Sequence, residues 1–218
     1  MSLSFEQLDS LIQNSDFASL LGEPESGIFD CKSDIYTLAD DLSKYELSKD
    51  VSSFANANGG YIFVGARTAK SETTHSDVVI DIRAFDQRLC DPDQYLKIVS
   101  DWIYPKPINI EAKWYPTIED VNKGIFVIKF PKQPDIQKPF LIKRTLQETG
   151  KICEVLFGYC ERKQEANNPK SVIELHQILR DGLFYSENME TRLQGIESTL
   201  LAISRSSGKA NNKFGHVN

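Results

Sequence analysis

Apolar positions near the start of the chain fall at Phe5, Leu8, Leu11 and Ile12, one face of a helix. Ser4 and Gln7 form a capping box at its start, with Leu3 and Leu8 as the hydrophobic staple. Residues 27–33 (GIFDCKS) alternate as a strand does. From 42 to 57 the period turns helical again, with Leu47, Val51, Phe54 and Ala55 on one stripe, and Asn58-Gly59-Gly60 ends it. Tyr61 to Ala66 is apolar almost throughout, the mark of a central strand covered on both faces.

Residues 67–77 (RTAKSETTHSD) read as an exposed loop and 78–82 as a short strand. Asp91, Pro92 and Gln94 start a helix whose inward residues are Tyr95, Ile98, Val99, Trp102 and Ile103, and Pro105 and Pro107 close it. Strands are predicted at 108–114, 124–130, 139–143 and 152–159. Asn168 caps a further helix with Pro169 at its first position, running to a glycine stop at Gly182. Beyond it Met189, Leu193, Ile196, Leu200 and Ile203 are spaced 4, 3, 4, 3, a heptad seam that predicts an amphipathic helix over 186–204, either packed on its own domain or joining copies of the chain as a homo-oligomer. Residues 205–218 are polar and predicted to be flexible. The pattern gives an α+β fold: a mixed sheet with helices packed on it, plus an N-terminal helix and a C-terminal amphipathic helix. The expected divisions are 1–19, 20–183, 184–204 and 205–218.

Composition changes this picture little and charge changes it more. Of 218 residues, 40% are hydrophobic and 26% charged, ordinary for a globular chain. No apolar run approaches the ~20 residues of a membrane span. The opening residues lack the basic and apolar regions of a secretory signal, so a cytoplasmic location is expected. The four cysteines, Cys31, Cys90, Cys153 and Cys160, then read as reduced thiols, and Cys153 and Cys160 are too far apart for a structural zinc pair. The net charge is −6, but residues 1–60 carry −8 and residues 132–163 carry +3. Either one part of the surface suits a polyanion that another part repels, or both are simply solvated faces.

The most specific stretch is Glu25-Ser26-Gly27-Ile28-Phe29-Asp30-Cys31-Lys32, followed by a helix ending Ser52-Ser53-Phe54-Ala55-Asn56-Ala57-Asn58-Gly59-Gly60 and by Tyr61-Ile62-Phe63-Val64-Gly65. This resembles the Schlafen-like AlbA-type domain, with its E-x4-E-F-K, S-A-F-A-N-T-x-G-G and I-G-V blocks, over about residues 20–183. The resemblance implies nucleic-acid binding, to DNA or RNA, in a regulatory or defence-type protein. Nuclease members of the family use three carboxylates with a divalent metal. By position Glu25 and Asp30 match the first two, with Lys32 beside them, and Mg or Mn would be the cofactor. The third position falls at Thr68, next to Arg67, where no carboxylate stands. Binding without full nuclease activity is the reading; a metal-dependent endoribonuclease acting on structured RNA such as tRNA is the alternative.

Candidate phosphate contacts are Arg67, Lys143, Arg144, Lys151, Arg162 and Lys163, with Phe140, Phe157 and Tyr159 interleaved for stacking or for the core. Lys32 serves either as a phosphate contact or as the partner of Glu25 and Asp30. The chain has no P-loop and no dinucleotide G-x-G-x-x-G, and His75, His176 and His216 are too dispersed to form a catalytic pair.

Overall fold

The computed structural model describes residues 3–72, 76–144, 159–163, 166–170 and 172–211. They form two units, 1–172 and 173–218. In the first, helix α1 (Phe5–Gln13) starts at the Ser4 capping box, where the Ser4 Oγ accepts from the Gln7 N–H and the Gln7 Oε1 accepts from the Ser4 N–H. Strand β1 (Phe29–Lys32), helix α2 (Asp41–Asn56) and strand β2 (Gly60–Val64) follow. Then come strands β3 (Ala66–Lys70) and β4 (Asp77–Ile82), helix α3 (Pro92–Trp102) and strand β5 (Ile103–Tyr104). Strands β6 (Glu111–Pro116), β7 (Gly124–Phe130), β8 (Leu141–Ile142), β9 (Cys160–Lys163) and β10 (Ala166–Pro169) complete the unit.

The central sheet has the order β1-β2-β7-β6, with β1 parallel to β2 and the other pairs antiparallel. Alternation along β2 divides the core. Ile62 and Val64 face α2 and α3, in a cluster with Leu47, Val51, Phe54, Val99 and Phe126. Tyr61 and Phe63 face the other way, among Leu8, Leu11, Phe17 and Phe29. Every residue of β2 is buried, as expected of an apolar strand at the middle of a sheet. The fold is α+β, a mixed sheet covered on both faces.

The glycine pair after α2 makes the turn into β2 possible. Gly59 has φ +81°, and a Cβ there would lie 2.3 Å from the Phe130 carbonyl oxygen. Asn56, the last residue of α2, clamps two remote segments. Its side chain accepts from the Phe140 N–H at 2.7 Å and donates to the Phe140 and Cys160 carbonyls at 2.9 and 3.1 Å. Ser52 donates to the same Phe140 carbonyl at 2.8 Å. The Ser-Ser-Phe-Ala-Asn block is thus a helix end that hydrogen-bonds the backbone of its neighbours.

Several sequence expectations give way. Residues 67–70, expected in an exposed loop, belong to strand β3, paired antiparallel with β4. Asn168 and Pro169 belong to β10 instead of starting a helix. The second unit is the helix α4 (Val172–Asn211), which runs through Gly182 without stopping there. A Cβ at Gly182 would meet nothing within 4 Å, so no neighbour forces a turn at that position. Residues 205–211, expected to be flexible, are helical. The strand predicted at 152–159 lies outside the described residues except for its last position. Among the described residues no helix is long and apolar enough to cross a membrane.

Two glycine substitutions should therefore move stability in opposite directions in urea melts followed by circular dichroism. Gly59→Ala should destabilise by about 2 kcal/mol or more, through positive φ and the clash with Phe130. Gly182→Ala should stabilise α4 by up to about 1 kcal/mol, because alanine is the better helix former in open space.

Candidate functional site

β1 is an edge strand, so one row of its backbone groups has no partner strand. Its inner groups bond to β2, where the Tyr61 N–H donates to the Ile28 carbonyl and the Gly65 N–H to the Lys32 carbonyl. Two of its outer groups are the Cys31 N–H and the Phe29 carbonyl. The Glu25 Oε1 accepts from the Cys31 N–H at 2.8 Å. The Phe29 carbonyl accepts from the Ser26 N–H at 3.2 Å and from the Arg162 guanidinium at 3.3 Å. Two side chains, a carboxyl and a guanidinium, thus stand where a further strand would pair.

The same register places Asp30 and Lys32 level with Ile62 and Val64, on the face that α2 covers. There the charges form a chain. The Arg162 Nη2 lies 3.1 Å from the Asp30 Oδ1, and the Lys32 Nζ lies 2.9 Å from both the Asp30 Oδ2 and the Asp50 Oδ2. Asp50 also accepts from the Tyr36 hydroxyl at 2.8 Å and from the Asn167 amide. The Arg162 guanidinium lies over the Phe54 ring, 5.2 Å from its centroid, within the range of a cation–π interaction. The Arg162 and Asp30 side chains are only 2% and 6% exposed.

Burial pushes the Glu25 carboxyl up to about 8, with the Asp30 charge adding to it, against the Cys31 N–H and Arg162, and with Asp77 raising it further. Glu25 is therefore mostly protonated at neutral pH. Burial also raises Asp50, although Lys32 opposes the shift. For Lys32 burial works against the ammonium, but the Asp50 and Asp30 carboxylates outweigh it and hold its pKa well above the ordinary lysine value. Burial likewise raises the Cys31 thiol, which is no reactive thiolate.

The structure brings Glu25, Asp30 and Lys32 together and adds Arg162 to them. Arg162 is a correction: its guanidinium is buried against Asp30 and two backbone carbonyls, of Phe29 and Ser26, rather than offered to a phosphate. Of the other expected basic contacts, Arg67, Lys143, Arg144 and Lys163 are exposed, and Lys151 lies outside the described residues. Lys143 donates to the Ser100 carbonyl at 3.3 Å near the end of α3, and the Arg144 guanidinium lies 5.0 Å from the Trp102 ring centroid. Phe140 and Tyr159 are buried. Arg67 and Thr68 flank a register shift in β3.

Sequence reasoning missed Asp50, Tyr36 and Asn167. A signal existed for Asp50, which falls on the buried stripe of α2 between Leu47 and Val51, where an acid needs a partner. The Asp77 carbonyl, on β4, accepts from the Glu25 N–H at 2.8 Å. A divalent cation does not fit this donor set. Both Asp30 oxygens face cations, Glu25 is bonded to the strand edge, and among the described residues no three His, Cys, Asp or Glu side chains are arranged to hold a metal ion.

No family model and no curated protein matches the chain. Among solved structures, it is similar to the solution NMR structure of the N-terminal domain of Putative ATP-dependent DNA Helicase RecG-related Protein from Nitrosomonas europaea. The two share 16% sequence identity with a TM-score of 0.38, over 74% of this chain and 92% of that one.

Removing one member of a buried pair leaves the other uncompensated. Arg162→Met should cost about 3–5 kcal/mol in chemical denaturation, and adding Asp30→Asn should recover part of it. Glu25 supplies a pH signature. Its folded pKa, about 8, is raised from 4.5, so the stability it contributes is complete below about 4.5 and is lost as pH rises through about 8. Glu25→Gln should flatten the fall in unfolding free energy between those limits, and an unchanged slope would remove Glu25 as its source.

Proposed function

We propose that the first unit is a nucleic-acid-binding module of a regulatory or defence-type protein, acting on DNA or RNA by binding rather than by metal-dependent cleavage. The observation that carries this reading is the division of charge. Glu25, Asp30 and Asp50 are buried and engaged with partners inside the molecule, whereas Arg67, Lys143, Arg144 and Lys163 are exposed. Acidic side chains held in this way repel a polyanion less than their number suggests, and exposed arginine and lysine provide the contacts that phosphates need. Arg144, leaning on Trp102, is held near one geometry and loses less side-chain freedom on binding. The resemblance of the 25–65 segment to Schlafen-like AlbA-type domains supports the same reading. In it Glu25 and Asp30 match two acids of a nuclease's carboxylate set by position, while Glu25 bonds the strand edge and Asp30 pairs with Lys32 and Arg162.

Anisotropy titrations with labelled single-stranded and duplex oligonucleotides, and with tRNA, test this at low salt. The combined variant Arg67→Glu, Lys143→Glu, Arg144→Glu, Lys163→Glu should bind at least ten-fold more weakly, with a salt slope shallower by about 0.7–0.9 for each phosphate that is no longer neutralised. Arg162 stays intact in that variant because its loss acts through stability. Absence of binding by the unaltered chain to every probe at 50 µM would end the proposal. Cleavage of tRNA with manganese that Glu25→Gln abolishes would put the endoribonuclease in its place.

A further inference from the structure

The unit that follows the domain presents an uncovered apolar stripe. On α4 the side chains of Met189, Leu193, Ile196 and Leu200 are 44%, 54%, 58% and 60% exposed. With Ile203 next in register, they occupy alternating d and a positions of a heptad, Met189 being d and Leu193 a. Leu179 continues the a row upstream, but Gly182 and Ser186 fall at the next d and a, so the seam proper begins at Met189.

We infer that copies of this chain join through α4 in a parallel coiled coil of more than two strands. Charge complementarity selects both the occupant and its direction. In a parallel coil a g residue faces the e residue of the partner's next heptad, five positions on, whereas in an antiparallel coil e faces e and g faces g. Here g is Arg192 and the following e is Glu197, so parallel copies set arginine against glutamate on both sides of the seam. Both e positions, Glu190 and Glu197, are acidic, so antiparallel copies would set acid against acid. Arg192 and Glu197 are exposed, and at five residues apart they do not pair along their own helix. Leucine at a with isoleucine at d favours three or four strands over two. Leu201, at b and 59% exposed, widens the apolar stripe on the e side, where additional strands bury more surface.

Sedimentation velocity of the full chain between 5 and 200 µM tests the arrangement. The unaltered protein should reach a mass above twice its 24.7 kDa at the upper concentrations. Leu193→Glu with Leu200→Glu should be monomeric throughout, with the melt of the first unit unchanged. Orientation is read separately, and without removing the seam. Arg192→Glu and Glu197→Arg should each weaken association roughly three-fold or more, and the double reversal should restore it, because only parallel copies pair these positions. A monomer or a dimer at 200 µM would overturn the inference. So would association that the two leucine substitutions leave intact, or single charge reversals without effect.

Discussion

The domain depends on how it closes the outer edge of β1. An edge strand buried under other elements leaves backbone donors and acceptors that must be paired, since each unpaired group costs about 1–3 kcal/mol. Most proteins pair such an edge with another strand or leave it to water. Here the Glu25 carboxyl and the Arg162 guanidinium take those places. Charged groups in such a location need compensation of their own. Lys32, Asp30, Asp50 and Arg162 provide it as two cations and two anions in contact, with Glu25 protonated beside them. The neutrality of the cluster is what allows its burial.

That arrangement also explains why the acids are not free for other chemistry. A carboxylate that binds metal must direct lone pairs at the ion, whereas both Asp30 oxygens are directed at the protein's own cations. Asp30 and Asp50 serve as the internal counterions of Lys32 and Arg162. The exposed basic side chains stand on other elements: Arg67 on β3, Lys143 and Arg144 just after β8, and Lys163 at the end of β9.

What could be read in the sequence was set by local periodicity. β2, α2 and α3 announce themselves by apolar spacing and by their caps, and the structure has all three with boundaries close to those expected. β3 was illegible because Arg67-Thr68-Ala69-Lys70 is polar on both sides, and its pairing with β4 supplies the order that its composition does not. The continuation of α4 past Gly182 is also not local, since glycine lowers helix propensity by only about 1 kcal/mol and a long helix absorbs that. Glu25, Asp30 and Lys32 could be picked out from their motif. The role of Arg162 could not, because its partner Asp30 is 132 residues away and a surface arginine looks the same in sequence as a buried one.

The distance between Arg162 and Asp30 also matters during synthesis. Translation proceeds at about 5–20 residues per second, so roughly 7–26 s separate the appearance of the two residues. During that interval β1 and β2 have been made but the guanidinium that completes their rim has not, and neither has Cys160, whose carbonyl Asn56 binds. A nascent chain therefore carries an open strand edge and only one of the two cations that balance Asp30 and Asp50 while it is still attached to the ribosome. Residues 1–60 together carry a charge of −8, which discourages the edge-to-edge pairing of neighbouring nascent chains until β9 arrives.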